Sequence, residues 1–155
     1  MLFIYGFAIV LVGLLVGAAM LGGALMDYVN LPSFLIVTIP LLGILTATNS
    51  FKVFYIGVKA VLLPKKAIPE ELLGQAVSLF RLLSRSTAIV SAIGFLICLV
   101  NILFNLDFEN PNAISHIGAN IAAALSTPLY GLTLIVALLG PIVFNLNKRN
   151  DTKLP

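Results

Sequence analysis

Hydroxyl and amide side chains recur at helical spacing in the third of four apolar segments of this 155-residue chain. Projection at 3.6 residues per turn places them, with one glycine and one cysteine, on a single line: Thr87, Ser91, Gly94, Cys98, Asn101 and Asn105. Bulky apolar side chains occupy most positions between them. Because polar groups in hydrocarbon cost free energy unless they are partnered, we expect this line to face protein or water.

The fourth apolar segment carries a similar line, which passes through His116, Asn120, Ala123 or Ala124, Thr127 and Gly131. Pro128 interrupts this segment and frees the carbonyl of Ala124 on the preceding turn. A free carbonyl beside the Thr127 hydroxyl could bind water or an ion, since hard cations prefer oxygen ligands. Alternatively, the proline only bends the helix, and Ser126 or Thr127 bonds back to it.

Either line taken alone is explained by helix packing, with hydrogen bonds of about 0.6–2 kcal/mol each across an interface and close approach at Gly94 and Gly131. Two such lines on consecutive helices favour a central space shared by an oligomer. We therefore predict an ion pathway or partner-facing surface that contains Ser91, Gly94, Asn101, Asn120, Thr127 and Pro128. Pro141 is predicted to bend the fourth helix near its far end.

The sequence lacks the side-chain groups that catalysis or metal binding would need. Cys98 is the single cysteine and His116 the single histidine, so one chain can form neither a disulfide framework nor a cysteine-based metal site. The sequence contains no phosphate-binding loop, no Ser-His-Asp set and no paired carboxylates in an apolar segment. We predict a protein that is not an enzyme and that uses no cofactor and no metal.

Composition places the chain in a membrane. Hydrophobic residues make up 60% of it and charged residues 10%, and its mean hydropathy is +1.11, whereas soluble domains are roughly 45–50% apolar. Four uncharged segments, at about 2–26, 34–51, 87–104 and 117–144, approach or exceed the roughly 20 residues that a membrane helix needs. The first lacks the basic start of a secretory signal. We predict one transmembrane domain, residues 1–155.

Charge is distributed unevenly between the connections. The connection of about residues 52–86 and the end of the chain carry all the lysines and arginines. The other two connections hold only Asp27, Asp107, Glu109 and His116. The positive-inside rule then places the long connection and both termini in the cytoplasm. The net charge of +3 therefore reflects topology, and we predict no nucleic-acid partner.

Two helices are expected to extend beyond the membrane. The second segment continues as FKVFYIGVKAVLL to Pro64 without a breaker, and Pro69 with the glutamates after it resembles a helix start. From Glu70 to about Leu106 nothing stops the next helix, which would be about 55 Å long. The predicted fold class is an all-α membrane protein with four transmembrane helices, of which helices two and three extend into the cytoplasm.

Three stretches of the sequence resemble a known family. LPSFLIVTIPLLGIL is similar to the outer turn and second helix of MotA flagellar stator proteins, and AIGFLICLVNILFNL resembles their third helix. IGANIAAALSTPLYGLTLIVALLGPIVFNLNKR resembles the last helix of the MotA/TolQ/ExbB proton channel family, with its A-x-A-L-x-T-x-x-Y-G core. The resemblance follows the order of the predicted spans.

This resemblance implies a compact stator-like subunit of the bacterial inner membrane that forms a homopentamer and converts an ion gradient into movement. Its third and fourth helices would surround two single-span helices of a MotB/TolR/ExbD-like partner, which supplies the membrane carboxylate that binds the ion. Thr127 matches the family hydroxyl near that carboxylate, and Pro141 matches the later proline. The short connection 52–86 replaces the large insert that contacts the flagellar rotor, so we expect a different cargo.

Three positions depart from the family pattern. Ala88 replaces a proline, Phe95 replaces a small or hydroxyl residue, and Pro128 replaces the second residue of a T-T pair. Phe95 could narrow an aqueous path. A non-conducting membrane scaffold or assembly protein of the same fold is therefore the alternative function, and an unrelated monomeric four-helix protein is a third.

Overall fold

The computed structural model describes residues 2–20, 22, 28–63, 69–104 and 113–151, and no strand occurs in these parts. In chain order the helices are α1 (Leu2–Met20), α2 (Leu31–Ala47), α3 (Phe51–Leu62), α4 (Glu70–Phe104), α5 (Ala113–Leu134) and α6 (Gly140–Asp151). A π-helical segment, Ile135–Leu139, joins the last two.

Three helical stretches are long and apolar enough to cross a membrane, namely α1, α4 and the continuous run from α5 through α6. α2 and α3 supply a fourth crossing if the bent pair is taken as one span. The prediction of an all-helical, multi-pass membrane protein is thus confirmed, with three or four crossings by length and composition. α1 is the least enclosed helix, since its apolar window is 0% buried.

α4 runs without interruption for 35 residues, which confirms the prediction of one long helix from Glu70. The amide of Leu73 donates to the carbonyl of Pro69 (3.1 Å), so the helix starts directly after the proline. At 1.5 Å per residue α4 is about 53 Å long, well beyond the roughly 30 Å of the hydrocarbon core. A helix of this length has to leave the bilayer at one end unless it is steeply tilted.

The second helix does not continue through α3 as expected, because α3 leaves α2 at an angle of 112°. Asn49 between them adopts a left-handed backbone with a φ of 47°. Its amide bonds to the carbonyl of Thr46 (3.1 Å), and the amide of Ser50 bonds to the carbonyl of Leu45 (3.0 Å). This pair of bonds around a left-handed residue is the Schellman ending of a helix, in which asparagine is the usual substitute for glycine. The prediction of an unbroken second helix is therefore wrong.

A cluster of buried apolar side chains lies at the end of the bundle where α3 crosses α4 and α6. Phe80, Leu73 and Leu146 are completely buried there. The ring of Phe54 from α3 stacks on Phe80 with 5.2 Å between centroids. Gly57 allows this contact, because a Cβ at that position would lie 2.5 Å from Phe80 Cε2. α3 is thereby packed crosswise against two long helices.

Basic side chains tie the same three helices together. Arg81 of α4 donates to the side-chain oxygen of Asn147 in α6 (2.9 Å). Arg149 of α6 donates to the carbonyl of Ala60 near the end of α3 (2.8 Å). We refer to this end of the bundle, which carries Arg81, Arg85 and Arg149, as the basic end.

Tyr130, in the last turns of α5, holds the chain that enters α2. Its hydroxyl accepts a hydrogen bond from the amide of Asn30 (2.7 Å) and donates one to the carbonyl of Tyr28. The side chain of Asn30 in turn accepts the amide of Ser33 (3.1 Å) and caps α2. Phe34 packs edge-on against the Tyr130 ring at 6.3 Å. The first turn of α2 is therefore held against α5 by polar and aromatic contacts.

Replacement of Gly57 by alanine tests the crossing of α3 over α4. The added methyl group meets the buried ring of Phe80, so Gly57→Ala should lower the free energy of unfolding by about 1–3 kcal/mol. Gly43→Ala is the matched control, since no described atom lies within 4 Å of its Cβ position, and it should be neutral or slightly stabilising. Unfolding of both variants in one detergent, followed by circular dichroism, measures the difference. Equal stabilities would contradict the packing of α3.

Candidate functional site

Three of the predicted pathway residues meet where α4 packs against α5. Ser91 and Gly94 of α4 and Thr127 of α5 are all buried, and Thr127 is 0% exposed. A Cβ at Gly94 would lie 2.7 Å from Cγ2 of Thr127 and 2.5 Å from Cγ2 of Ile36. The glycine therefore allows α2, α4 and α5 to touch at one level. The central parts of the two polar lines thus come together inside a single chain.

A second close contact lies one turn nearer the basic end. A Cβ at Gly131 would overlap Oγ of Ser91 and would lie 3.5 Å from the carbonyl oxygen of Thr87. Only a glycine leaves room for the Ser91 side chain at this point. The same antiparallel register that pairs Gly94 with Thr127 thus pairs Ser91 with Gly131.

Most hydroxyl groups along this contact bond to their own helix. Thr87 Oγ1 donates to the carbonyl of Leu83 and Ser91 Oγ to the carbonyl of Thr87, both at 2.7 Å. Ser126 Oγ donates to the carbonyl of Ala122 (3.2 Å) in the same manner. Such bonds to the preceding turn satisfy a hydroxyl in an apolar environment without help from a second chain.

Thr127 differs from these three residues. Its hydroxyl is buried and has no hydrogen-bond partner in the part of the chain that the structure describes. The carbonyl of Ala123, four residues earlier, accepts Ser33 Oγ of α2 (3.3 Å). Pro128 does not end α5, but it has no amide to donate to the carbonyl of Ala124. An unsatisfied hydroxyl and a carbonyl that lacks its helical donor therefore lie within one turn of an apolar helix.

Asn101 and Asn120 lie outside this buried contact. Continuation of the register places them at one level, about two turns from Gly94 and Thr127 and away from the basic end. Both side chains are exposed on the surface of the single chain, whereas Pro128 is half-buried. The predicted pathway residues are thus divided between a closed contact inside the chain and a surface that faces its surroundings.

The predicted bend at Pro141 coincides with a change of helix type. Ile135–Leu139 form a π-helical segment, after which the amide of Gly140 donates to the carbonyl of Ile135. A Cβ at Gly140 would lie 3.0 Å from that oxygen. Pro141 supplies no amide to the preceding turn, and a widened turn relieves the clash of its ring with the carbonyl four residues earlier. The helix widens at this proline and continues through α6.

Two features of the structure were not predicted from the sequence. The first is Ser84 Oγ of α4, which is buried without a partner among the described residues. Extension of the first polar line by one turn from Thr87 could have identified it.

The second feature is an open groove of about 600 Å³ where α2 passes into α3 beside α4, and it depends on the bend at Asn49. Its lining consists of Thr48, Ser50, Val53, Glu71, Gly74, Gln75, Ser78, Leu79 and Leu82.

The chemistry available at the α4–α5 contact is that of neutral oxygen groups. In the described parts of the chain, no group of three or more His, Cys, Asp or Glu side chains is placed to hold a metal ion. Hydroxyl and carbonyl oxygens can bind water, and they can assist a cation whose counter-charge comes from elsewhere. The family resemblance receives no independent support, because neither a scan against protein-family models nor a search of curated proteins gives a match to this chain.

A double-mutant cycle tests the contact between Gly131 and Ser91. Gly131→Ala alone should lower the free energy of unfolding by about 1–3 kcal/mol, because its methyl group overlaps the serine side chain. Ser91→Gly should cost about 0.5 kcal/mol of helix propensity, but it should remove most of the penalty of Gly131→Ala in the double variant. The coupling energy from unfolding in one detergent should be between about 0.5 and 3 kcal/mol. Strictly additive effects would show that α4 and α5 pack in another register.

Proposed function

We propose that this chain is the ring-forming subunit of an ion-driven membrane motor, in which five copies surround a pair of single-span partner helices. The observation that carries the proposal is the hydroxyl of Thr127, fully buried in an apolar helix with no partner in the described chain. Native proteins rarely leave such a group unsatisfied, and polar groups within a membrane commonly belong to ion or substrate paths. Thr127 therefore contacts the ion or its carrier in this proposal.

The charge that binds the ion has to come from another chain. Between Ser86 and Asn147 the sequence has acidic residues only at Asp107 and Glu109, in the connection between α4 and α5. The hydroxyl and carbonyl oxygens around Thr127 can complete the coordination of a cation but cannot offset its charge. A MotB/TolR/ExbD-like partner with a carboxylate in its single membrane helix supplies that charge.

Contact between Thr127 and a partner requires the helices to repack in the assembled ring. In the single chain Thr127 packs against Gly94, next to Ile36 of α2. Pro128 and the π-helical segment Ile135–Leu139 interrupt the regular hydrogen-bond ladder of the same long helix. Such interruptions let a helix bend or turn at lower cost than a regular ladder does. Rotation of the part of α5 that precedes these interruptions presents the Thr127 hydroxyl to the partner.

A non-conducting scaffold or assembly protein of the same fold is the second candidate, and the hydrogen bonds along the α4–α5 contact favour it. Thr87, Ser91 and Ser126 are satisfied by their own helices. Gly131 leaves no free space beside Ser91. Small residues and local hydroxyl bonds of this kind are how membrane helices ordinarily pack. In a scaffold, the two polar lines hold α4 and α5 together and conduct nothing.

The proposed orientation places the basic end in the cytoplasm of a bacterial inner membrane. Arg81 and Arg85 are exposed on α4, and Lys148 is exposed on α6, which is the charge asymmetry expected of a cytoplasmic side. The part of α4 that exceeds the bilayer then extends into the cytoplasm, and both termini lie on that side. Because the connection between α2 and α4 is short, the motor moves something other than the ordinary flagellar rotor.

Substitutions at Thr127 separate the two candidates. Thr127→Val removes the hydroxyl at nearly constant shape, so the free energy of unfolding should stay unchanged or rise by about 1 kcal/mol. In a motor, the same change should reduce partner-dependent ion uptake into proteoliposomes about tenfold or more, as the loss of roughly 1.4 kcal/mol of barrier stabilisation implies. Thr127→Ser should retain uptake.

Thr46→Val is the matched control for this measurement. Thr46 is exposed on α2, and its hydroxyl bonds to the carbonyl of Leu42 (2.8 Å), so uptake should not depend on it. Normal uptake by folded Thr127→Val protein would overturn the role of Thr127 in the motor, whereas absence of partner-dependent uptake by the unsubstituted protein would favour the scaffold.

Native mass measurement tests the assembly separately. The chain is copurified with the product of a neighbouring reading frame that encodes one membrane span containing an aspartate. Five copies of the chain with two copies of this partner are expected. A ring that forms without any such partner supports the scaffold, and a stable monomer contradicts both candidates.

A further inference from the structure

We propose that α3 lies in the plane of the membrane surface and that Lys52 and Lys59 bind the phosphate groups of anionic lipids. This proposal does not depend on the motor function. It assigns a partner to the outer side of α3, which is the side turned away from α4 and α6.

The angle and composition of α3 change together at the end of α2. α2 is apolar and carries no charged residue, whereas α3 contains two lysines and no acidic residue. α3 leaves α2 at 112°. In this proposal α2 alone, with 17 residues and a length of about 26 Å, is the part of the bent pair that crosses the membrane. A helix that follows it at nearly a right angle runs along the bilayer surface, where its lysines can reach headgroups without entering hydrocarbon.

α3 lies beside α4 close to one end of the long uncharged part of α4. Gly57 of α3 packs on Phe80 of α4, and the next charged residues along α4 are the exposed Arg81 and Arg85. From Arg85 to Phe104 α4 contains no further charge and is about 28 Å long, close to the roughly 30 Å of a hydrocarbon core. α3 therefore crosses α4 within about two turns of the hydrocarbon boundary.

The two sides of α3 differ in what they contact. Its inner side is buried against the bundle through Gly57, Ala60 and Val61. Its outer side exposes a line of apolar and aromatic residues at helical spacing, which are Phe51 (48%), Tyr55 (64%) and Leu62 (40%). Lys52, exposed, and Lys59, half-buried, occupy the adjacent line. Rings and a leucine beside lysines are the pattern of a helix that lies at a membrane interface.

The lysines are held where headgroups would meet them. Lys59 Nζ lies 5.3 Å from the centroid of the Tyr55 ring, so its charge stays beside the exposed aromatic surface. Arg149 donates to the carbonyl of Ala60 (2.8 Å), which fixes the end of α3 to α6 and adds a positive charge there. The basic surface is therefore largely formed before a lipid binds.

An anionic lipid fits this surface on physical grounds. Tyrosine rings favour the headgroup level, and lysine stems can lie along apolar surface while the ammonium group reaches a phosphate. Each basic residue near an anionic membrane surface contributes to binding. Because α3 is joined directly to a membrane helix, headgroups are present at this level wherever the protein is embedded.

Fluorescence quenching by brominated lipid tests the proposal in the full-length protein. The chain contains no tryptophan, so Tyr55→Trp introduces a single probe on α3. The protein is reconstituted in mixed phosphatidylcholine and phosphatidylglycerol bilayers in which one of the two lipids carries brominated chains. Tyr5→Trp is the matched control, since Tyr5 and Tyr55 are both 64% exposed but Tyr5 lies in the uncharged helix α1.

The probe at position 55 should be quenched by both lipids and should report tighter association with phosphatidylglycerol. A preference of about fivefold per lysine is expected, since that factor corresponds to roughly 1 kcal/mol per basic residue at an anionic surface. The ratio of the association constants for phosphatidylglycerol and phosphatidylcholine should approach one in the double variant Lys52→Gln/Lys59→Gln and at high salt. It should stay high in the double variant Lys52→Arg/Lys59→Arg. The probe at position 5 should show no preference.

Two results would overturn the proposal. An unquenched probe at position 55 would place α3 in water, or against protein such as a second copy of the chain. Equal association constants for the two lipids, with both lysines present, would show that the lysines do not select anionic headgroups.

Discussion

Two glycines, Gly94 and Gly131, set the distance between α4 and α5 because they have no side chains. A methyl group at Gly94 would collide with Thr127, and one at Gly131 would collide with Ser91. The helices therefore approach until their hydroxyl groups lie inside the contact, where water cannot satisfy them. Each hydroxyl must then bond locally or cost free energy. Ser91 bonds to its own helix, and Ile36 of α2 packs at the same level, so one constraint positions three helices.

The basic end is held by a different kind of contact. Phe54 and Phe80 stack there, and Arg149 reaches the end of α3, so large side chains take the place of glycines. The chain thus has a well-packed basic end and, closer to the middle of the membrane, a close contact that contains the unsatisfied Thr127. A motor and a scaffold both need the packing of the basic end. They differ in whether the contact around Thr127 opens, because a closed contact can transmit force but cannot pass an ion.

The sequence alone predicted the features that depend on local spacing and composition. Its apolar length indicated a multi-pass membrane protein, and the absence of a breaker after Glu70 predicted the long helix α4. The helical period put Ser91 and Gly94 on one face, which the structure bears out. One local signal was overlooked: the polar stretch Thr48-Asn49-Ser50 interrupts the apolar pattern, and α2 ends there because asparagine tolerates a left-handed backbone without a glycine.

Only the tertiary structure decided what each face meets. A polar line on α4 has the same period whether it meets water, lipid, another subunit or a neighbouring helix, so the sequence could not select α5 of the same chain. Nor could it show that Asn101 and Asn120 stay exposed while Thr127 is enclosed. The bonds from Tyr130 to the start of α2 join residues at least 100 positions apart. Such contacts depend on where separate helices come to rest against one another, whereas the spacing along one helix records only which of its residues lie on the same side.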